Sequence, residues 1–306
     1  MEDAISDRRV LVTGGAGFIG RHLVESLLPD NEVTVLDHLS TSSPQDVPAG
    51  ASVVGADVRN RDVLERAMDG VDTVFHLAAM VDVGASVDSP FVCHETNASA
   101  TVALLELARA ENARVVFASS AAIYGHPTAL PIPEDEPKCP ASPYGIAKLT
   151  ADLQVRRFQS LYDLPTVALR FFNVYGPPRG GGVANGVVGA FLERARDGDP
   201  MLVHGDGQQT RDFVHVSDVV RALHLAATTE HTGEAFNVGT GQGTSVLTLA
   251  ETVRDLVDRD VPIEHVSERA GDVAHSRADI TKARSVLGFE PSVPLDSGLR
   301  STGFNS

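Results

Sequence analysis

Three residues of this 306-residue chain have the types and spacing to move a proton: Ser120, Tyr144 and Lys148. Tyr144 and Lys148 stand four apart in Tyr-Gly-Ile-Ala-Lys, a spacing that puts both side chains on one face of a helix. A tyrosine is a poor base, with an ordinary pKa of about 10; bringing it to neutrality takes roughly 4 kcal/mol of differential stabilisation, at about 1.4 per unit. An adjacent ammonium and a cationic ring can supply that in a dry site, because both favour the phenolate. The spacing alone is common in helices. It gains force from Ser120, which closes the apolar run Arg114–Ser119, where an α/β sheet binds its ligands. From there a hydroxyl can bond a substrate hydroxyl and relay its proton to Tyr144.

A second constellation lies near the start. Thr-Gly-Gly-Ala-Gly-Phe-Ile-Gly, residues 13–20, places glycines at 14, 17 and 20 between a strand and a helix. Gly14, Gly17 and Gly20 permit a tight turn, close approach to a pyrophosphate and close helix–strand packing, and Phe18 and Ile19 open the helix whose N-terminus faces the negative charge. Asp37 ends the next strand, where a carboxylate accepts both ribose hydroxyls of an adenosine and repels a 2′-phosphate; NAD is favoured over NADP. His38 and Ser40 follow it, and Asp57 and Val58 end the third strand, in reach of an adenine amine.

These residues need strands and helices to hold them. Strands are predicted over 8–13, 32–36, 51–56, 73–77, 114–119 and 165–170, with helices over 17–28, 60–68, 97–110 and from Tyr144, the last capped by Ser142 with Pro143 in its first turn. Alternation of this kind means a Rossmann-type, doubly wound parallel α/β sheet. Beyond residue 176 glycine and proline cluster and the periodicity weakens. The expected division is therefore an NAD-binding domain over 1–176, with returns near 213–240, and a smaller C-terminal region over 177–306. The acidic run Glu134–Glu136 reads as a solvated loop, and Gly180–Gly182 as a lid or a loop tip.

The glycine turn, Asp37, His76-Leu77-Ala78-Ala79 and Asn97 resemble the extended short-chain dehydrogenase/reductase family, and the resemblance covers nearly the whole chain. It implies that Leu77, Ala78 and Ala79 line the cofactor, that Lys148 also holds its ribose, and that Asn97 braces the helix behind the active site. Sugar dehydratases and decarboxylases of the family carry acids just before the Ile-Tyr-Gly step; here stand Ala121 and Ala122, so the chain is similar to the 4-epimerases. By the same likeness Asn173 and Arg211 bind a diphosphate, Arg269 a phosphate and Asp272 a ribose, while Gly186 and Val187 line the uracil pocket. The implied reaction is NAD-dependent inversion at C4 of UDP-glucose or UDP-galactose through a transient ketone. A glucuronate substrate, with Arg179 on its carboxylate, stays open, as does an N-acetylated one, since the small Ser276 stands at the gating position. A non-catalytic NAD sensor is the rival of another class. The helices holding Asn97–Ala110 and Tyr144–Tyr162 imply a homodimer.

Composition narrows the partners. The formal net charge is −16, which repels nucleic acid and anionic lipid. No apolar run reaches the length of a membrane span, about 20 residues, and the polar start lacks a signal-peptide pattern, so a cytoplasmic protein is expected. Cys93 and Cys139 form no metal-binding pair, and the 11 histidines show no ligand spacing, so no metal is expected. Lysine occurs only at 138, 148 and 282. An acidic, lysine-poor surface resembles proteins of salt-loving organisms, and a GC-rich genome gives the same bias.

Overall fold

The computed structural model describes residues 5–178, 186–257, 260–268 and 272–302. Its centre is a seven-stranded parallel sheet. In chain order the strands and helices that build it are β1 (Arg9–Thr13), α1 (Phe18–Leu27), β2 (Glu32–Asp37), β3 (Ser52–Gly55), α2 (Arg61–Met68) and β4 (Thr73–His76). Then come α3 (Val83–Asp88), α4 (Pro90–His94), α5 (Ala100–Glu111), β5 (Arg114–Ser120), α6 (Pro143–Tyr162) and β6 (Thr166–Phe171). Short strand β7 (Asn173–Tyr175), helix α7 (Gly186–Asp197), and strands β8 (Met201–His204), β9 (Thr210–Arg211) and β10 (Phe213–His215) follow. The chain continues through α8 (Val216–Thr228), β11 (Glu234–Val238), β12 (Thr244–Ser245), α9 (Val246–Leu256), β13 (Ile263–Val266) and α10 (Leu295–Arg300).

Strand order across the sheet is β11-β6-β5-β4-β1-β2-β3. The winding reverses between β1 and β4, so the carboxyl ends of these two strands open a crevice, the place where such sheets bind ligands. Period-two alternation sorts each strand between two cores. Val10 and Val12 of β1 face α1 and α8, with Leu23, Leu27, Val219 and Leu223. Leu11 faces the other way, toward Leu64, Leu104, Val115 and Val155. A third cluster, around Phe191, Met201, Val203, Leu249 and Val253, holds α7 and α9 to the parallel pair β8–β13. The segments expected near 213–240 part company: β10 pairs with β7, and β11 becomes the seventh strand of the sheet beside β6.

Caps fix the helices that matter most. Ser142 Oγ accepts from Gly145 N at 3.1 Å with Pro143 in the first turn, and α6 ends at Asp163 in a left-handed conformation. Asn60 caps α2 through Val63 N. Pro90–Glu111 is one continuous helical path, with a wide turn of π type over Glu95–Ser99 between α4 and α5. Among the described residues no helix is long and apolar enough to cross a membrane.

Behind the crevice lies a buried ion pair. Arg170 on β6 donates Nε and Nη2 to the two oxygens of Asp152 on α6, each at 3.0 Å, and Ser119 Oγ donates to the same carboxylate at 2.7 Å. Arg170 Nη1 reaches Tyr124 Oη and the Glu134 carbonyl. The acidic run is therefore not the solvated loop that its composition predicts. Glu134 accepts from Asn237 N, and Glu136, almost wholly buried, accepts from Thr128 N and Oγ1, because the loop closes over the end of β6 and β11. Removing one partner of such a pair strands the other charge in a dry site. Asp152→Asn is expected to lower the free energy of unfolding by about 3–5 kcal/mol in urea denaturation; a change below about 1 kcal/mol would mean that the pair behaves like a surface bridge.

Candidate active site

The crevice floor is made of backbone. Gly14 has φ +71°, and a β-carbon there would lie 2.6 Å from Ala78 N, so β1's turn and the segment after β4 touch without side chains between them. At Gly20 a β-carbon would meet the Gly14 carbonyl, which draws α1 against the turn. Helix α1 begins beside this turn with no side-chain cap, and the first-turn amides of a helix are groups that a pyrophosphate can bind. Asp37 is buried at the end of β2, where its carboxylate accepts from Ala16 N at 3.1 Å and Leu39 N at 2.9 Å. His38 sits against that carboxylate and Ser40 against His38. Asp57 is gripped by Arg59, which bonds both oxygens and also reaches Glu95 at 3.6 Å, so a group expected to be open is paired. The side-chain hydrogen bonds from Arg59, helped by its backbone N–H and its charge, hold the Asp57 carboxyl below its ordinary range. Val58 is buried beside it; Phe18 and Ile19 are half-buried, Phe18 edge-on to His22.

On the other side of the crevice, Leu77, Ala78 and Ala79 are half-buried after β4. Asn97 is buried in the wide turn, and its amide pairs twice with Met80: Met80 N donates to Oδ1 at 2.8 Å and Nδ2 donates to Met80 O at 2.9 Å.

The three proton-moving residues come together at the carboxyl end of β5. Ser120 Oγ accepts from Ala122 N at 3.1 Å and stands near the Tyr144 side chain. Tyr144 is anchored through its own N–H to Ser86 Oγ on α3, a partner that no sequence signal announces. Burial pushes the Tyr144 phenol above its ordinary value; the Ser120 hydroxyl pulls it down, and the nearby Cys93 thiol pushes it up again. Lys148, wholly buried, donates to the Ala118 carbonyl at 2.8 Å. The ammonium is thus directed at backbone. Burial depresses Lys148 to about 8, against a smaller opposing effect of Cys93. The thiol, from α4, packs with Ala98, Ala147, Met80 and Tyr144.

Substrate-side residues are more spread. Asn173 is half-buried on β7, with its N–H on the Asp212 carbonyl. Gly186 and Val187 begin α7, Gly186 in open space. Arg211 and Asp272 meet, Nη2 to Oδ1 at 2.5 Å. Asp212, next in the chain, is buried and collects N–H groups from Thr240, Gly241 and Ala278, locking the strand that carries Arg211. Ser276 donates its N–H to the Thr210 carbonyl. Arg179, the glycines 180–182 and Arg269 lie outside the described residues.

A doubly wound sheet, a glycine turn at its switch point and a serine–tyrosine–lysine set at the end of β5 define a short-chain dehydrogenase/reductase fold built around a dinucleotide. Residues 10–239 match the profile of the NAD dependent epimerase/dehydratase family, and the chain belongs to that family. The "UDP-glucose 4-epimerase" of Mycolicibacterium smegmatis is 37% identical over 303 residues, covering 96% of this chain and 97% of that protein. A crystal structure of the Thermotoga maritima UDP-glucose 4-epimerase with UDP-glucose superposes with a TM-score of 0.90 at 39% identity, covering 96% and 97% of the two chains. The UDP-N-acetylglucosamine 4-epimerase of Methanobrevibacter ruminantium gives 0.91 at 33% identity, covering 97% of each. The cofactor is NAD. The cradle fits it, since the close approach at Gly14 leaves backbone amides, not side chains, to meet a pyrophosphate.

Lys148 has a thermodynamic signature. Because folding depresses it from 10.5 to about 8, the folded chain binds fewer protons than the unfolded chain between those values. Stability from this group therefore rises with pH across that window, and its cost is fully present below about pH 8. Cofactor-free Lys148→Met is expected to lose that rise relative to the parent in urea denaturation at stepped pH; parallel curves would place the ammonium in solvent.

Proposed function

We propose that this enzyme inverts C4 of a UDP-hexose, interconverting UDP-glucose and UDP-galactose. The observation that carries the reading is the placing of the Ser120 hydroxyl close enough to Tyr144 to favour its phenolate, beside the buried Lys148, with Ala121 and Ala122 where elimination chemistry would need acids. Tyr144, helped by Ser120, takes the proton of the C4 hydroxyl and later returns it to the opposite face. Bound NAD supplies the hydride acceptor and donor for the transient C4 ketone. Gly14, Gly17, Phe18, Ile19 and Gly20 hold its pyrophosphate, Asp37, His38, Ser40, Asp57 and Val58 its adenosine, and Leu77, Ala78, Ala79, Asn97, Tyr144 and Lys148 its other half. Arg211, Arg269 and Asn173 anchor the sugar's diphosphate while the hexose turns, Asp272 takes the ribose, and Gly186 and Val187 the uracil. Residues 1–176 form the cofactor domain in this scheme, and 177–306 the nucleotide-sugar region.

A second reading, an N-acetylated hexose, draws support from the small Ser276 and from the likeness to a UDP-N-acetylglucosamine 4-epimerase. One assay separates the readings. Purified protein is incubated in molar KCl with UDP-galactose, UDP-N-acetylgalactosamine and UDP-galacturonate in turn. Chromatography is expected to show conversion of UDP-galactose to its gluco epimer, and Tyr144→Phe to slow it by at least about a hundred-fold. Failure to convert any of the three, with NAD bound, retires the 4-epimerase reading.

The enzyme works as a homodimer in this proposal. Elements α3, α4 and α6 pack on one another and leave Val83, Val87, Phe91, Ile146 and Leu153 exposed, Phe91 at 73%. Such an apolar face is a mark of an interface. Light scattering is expected to give a dimer for the parent and a monomer for Phe91→Asp/Ile146→Asp; a parent monomer overturns the assignment.

A further inference from the structure

One buried titratable group at the site has no part in this chemistry. His76 ends β4, with its ring wholly inside the protein. Its Nδ1 lies 2.7 Å from Thr13 Oγ1 at the end of β1, and its Nε2 lies 3.0 Å from Thr101 Oγ1 in the first turn of α5. Both hydroxyls are engaged on their far sides, and those engagements fix the direction of every proton. Thr101 Oγ1 donates its single hydrogen to the Asn97 carbonyl at 2.8 Å, so toward His76 it can only accept. Nε2 must then carry the ring proton. Thr13 Oγ1 accepts from Ala78 N at 3.3 Å and keeps its own hydrogen for Nδ1, which is an acceptor in that tautomer. Burial, reinforced by the Lys148 ammonium, holds the ring neutral by pushing it down to about 3.

The two ends of this chain are not arbitrary places. Ala78 is the residue whose amide stands closest to Gly14 across the cofactor crevice. Asn97 pairs with Met80, and Ala98, next to it, packs with Cys93, Ala147 and Tyr144. The path runs from the cofactor floor to the back of the proton-transfer tyrosine, through two strand ends and the wide turn. A phenylalanine of similar size would fill the space and carry none of these bonds.

We propose that His76 is a positioning residue: its neutral Nε2–H tautomer gives one direction to the hydrogen-bond chain Ala78 N–H, Thr13, His76, Thr101, Asn97 carbonyl, and so sets the cofactor floor and the support of Tyr144 together. The kinetic consequence rests on the epimerase reading; the tautomer and cofactor retention do not.

Two measurements test it. Nitrogen NMR of histidine-labelled holoenzyme at neutral pH reads the tautomer directly. His76 is assigned by loss of its signals in His76→Asn or, where that variant does not fold, by its shift in Thr101→Val. A neutral Nε2–H ring is expected; an Nδ1–H ring or an imidazolium overturns the proposal. The second measurement uses valine, which keeps the shape of threonine and deletes one hydroxyl. Thr13→Val is expected to weaken NAD binding about ten-fold, and Thr101→Val to lower kcat about ten-fold with KM and NAD affinity held within about two-fold, the scale of one buried hydrogen bond. If both variants lose only thermal stability, with kcat, KM and NAD affinity unchanged, His76 is plain scaffolding and the proposal fails. If the parent epimerises no UDP-sugar, the proposed function falls, while the tautomer and NAD affinity still decide this inference.

Discussion

The constraint on which the site depends is the approach of two backbones, at Gly14 and Ala78, across the ends of neighbouring strands. A β-carbon at position 14 would overlap the Ala78 amide, so neither segment can carry a side chain into the gap. The crevice is thereby walled by backbone at this point, with the start of α1 beside it, and a helix N-terminus is a natural place for a phosphate. The rest follows from keeping those two segments in register. Parallel pairing of β1 with β4 sets their height, Asn97 ties Met80 to the helix behind, and the Thr13–His76–Thr101 chain joins the strand ends beneath. Burial makes each of these bonds costly to break, since a lost partner leaves a desolvated polar group.

Dryness also governs the chemistry, and it works against the free protein. The same enclosure that holds Tyr144 still makes its phenolate expensive, and only the Ser120 hydroxyl offsets this among its described neighbours. Lys148 turns its charge to the Ala118 carbonyl. A cationic ring beside Tyr144 therefore changes the balance more than Lys148 does alone. Under the proposed reading, an oxidised cofactor beside Tyr144 would favour proton transfer, and so would couple the base to the state in which the substrate hydroxyl should lose its proton.

Much of this was legible in the sequence where local chemistry leaves a pattern. The glycine spacing, the alternating strands and the Ser142–Pro143 cap each have a short-range cause, and each stands where it was expected. What escaped reading depends on distant segments. Ser86 anchors Tyr144 from 58 positions away, Arg59 covers Asp57, and Glu134 and Glu136 turn inward because Asn237, Arg170 and Thr128 wait there. A run of three acids looks solvated on composition alone; only the fold reveals that backbone amides compensate its burial. The seventh strand was visible as an apolar segment, but its place beside β6 follows from the whole winding of the sheet.

Charge raises a last question for a protein that carries −16 overall and whose proposed substrate is a dianionic diphosphate. Long-range attraction is not available to it, and in strong salt it would be screened in any case. Recognition must then be local. Arg211 is half-buried, its carbonyl contact to Thr210 and the locked Asp212 next to it fix its backbone, and Asp272 occupies its guanidinium. Under the proposed reading, a ligand phosphate would have to displace a carboxylate of similar geometry. Exchange of one charge-assisted pair for another leaves little net Coulomb gain, so simple inorganic anions would have small advantage at this arginine. A ligand that also offered a ribose diol to Asp272 would recover both ends of the pair, and the pair would then favour nucleoside diphosphates over phosphate itself, a selectivity that an unpaired arginine would not provide.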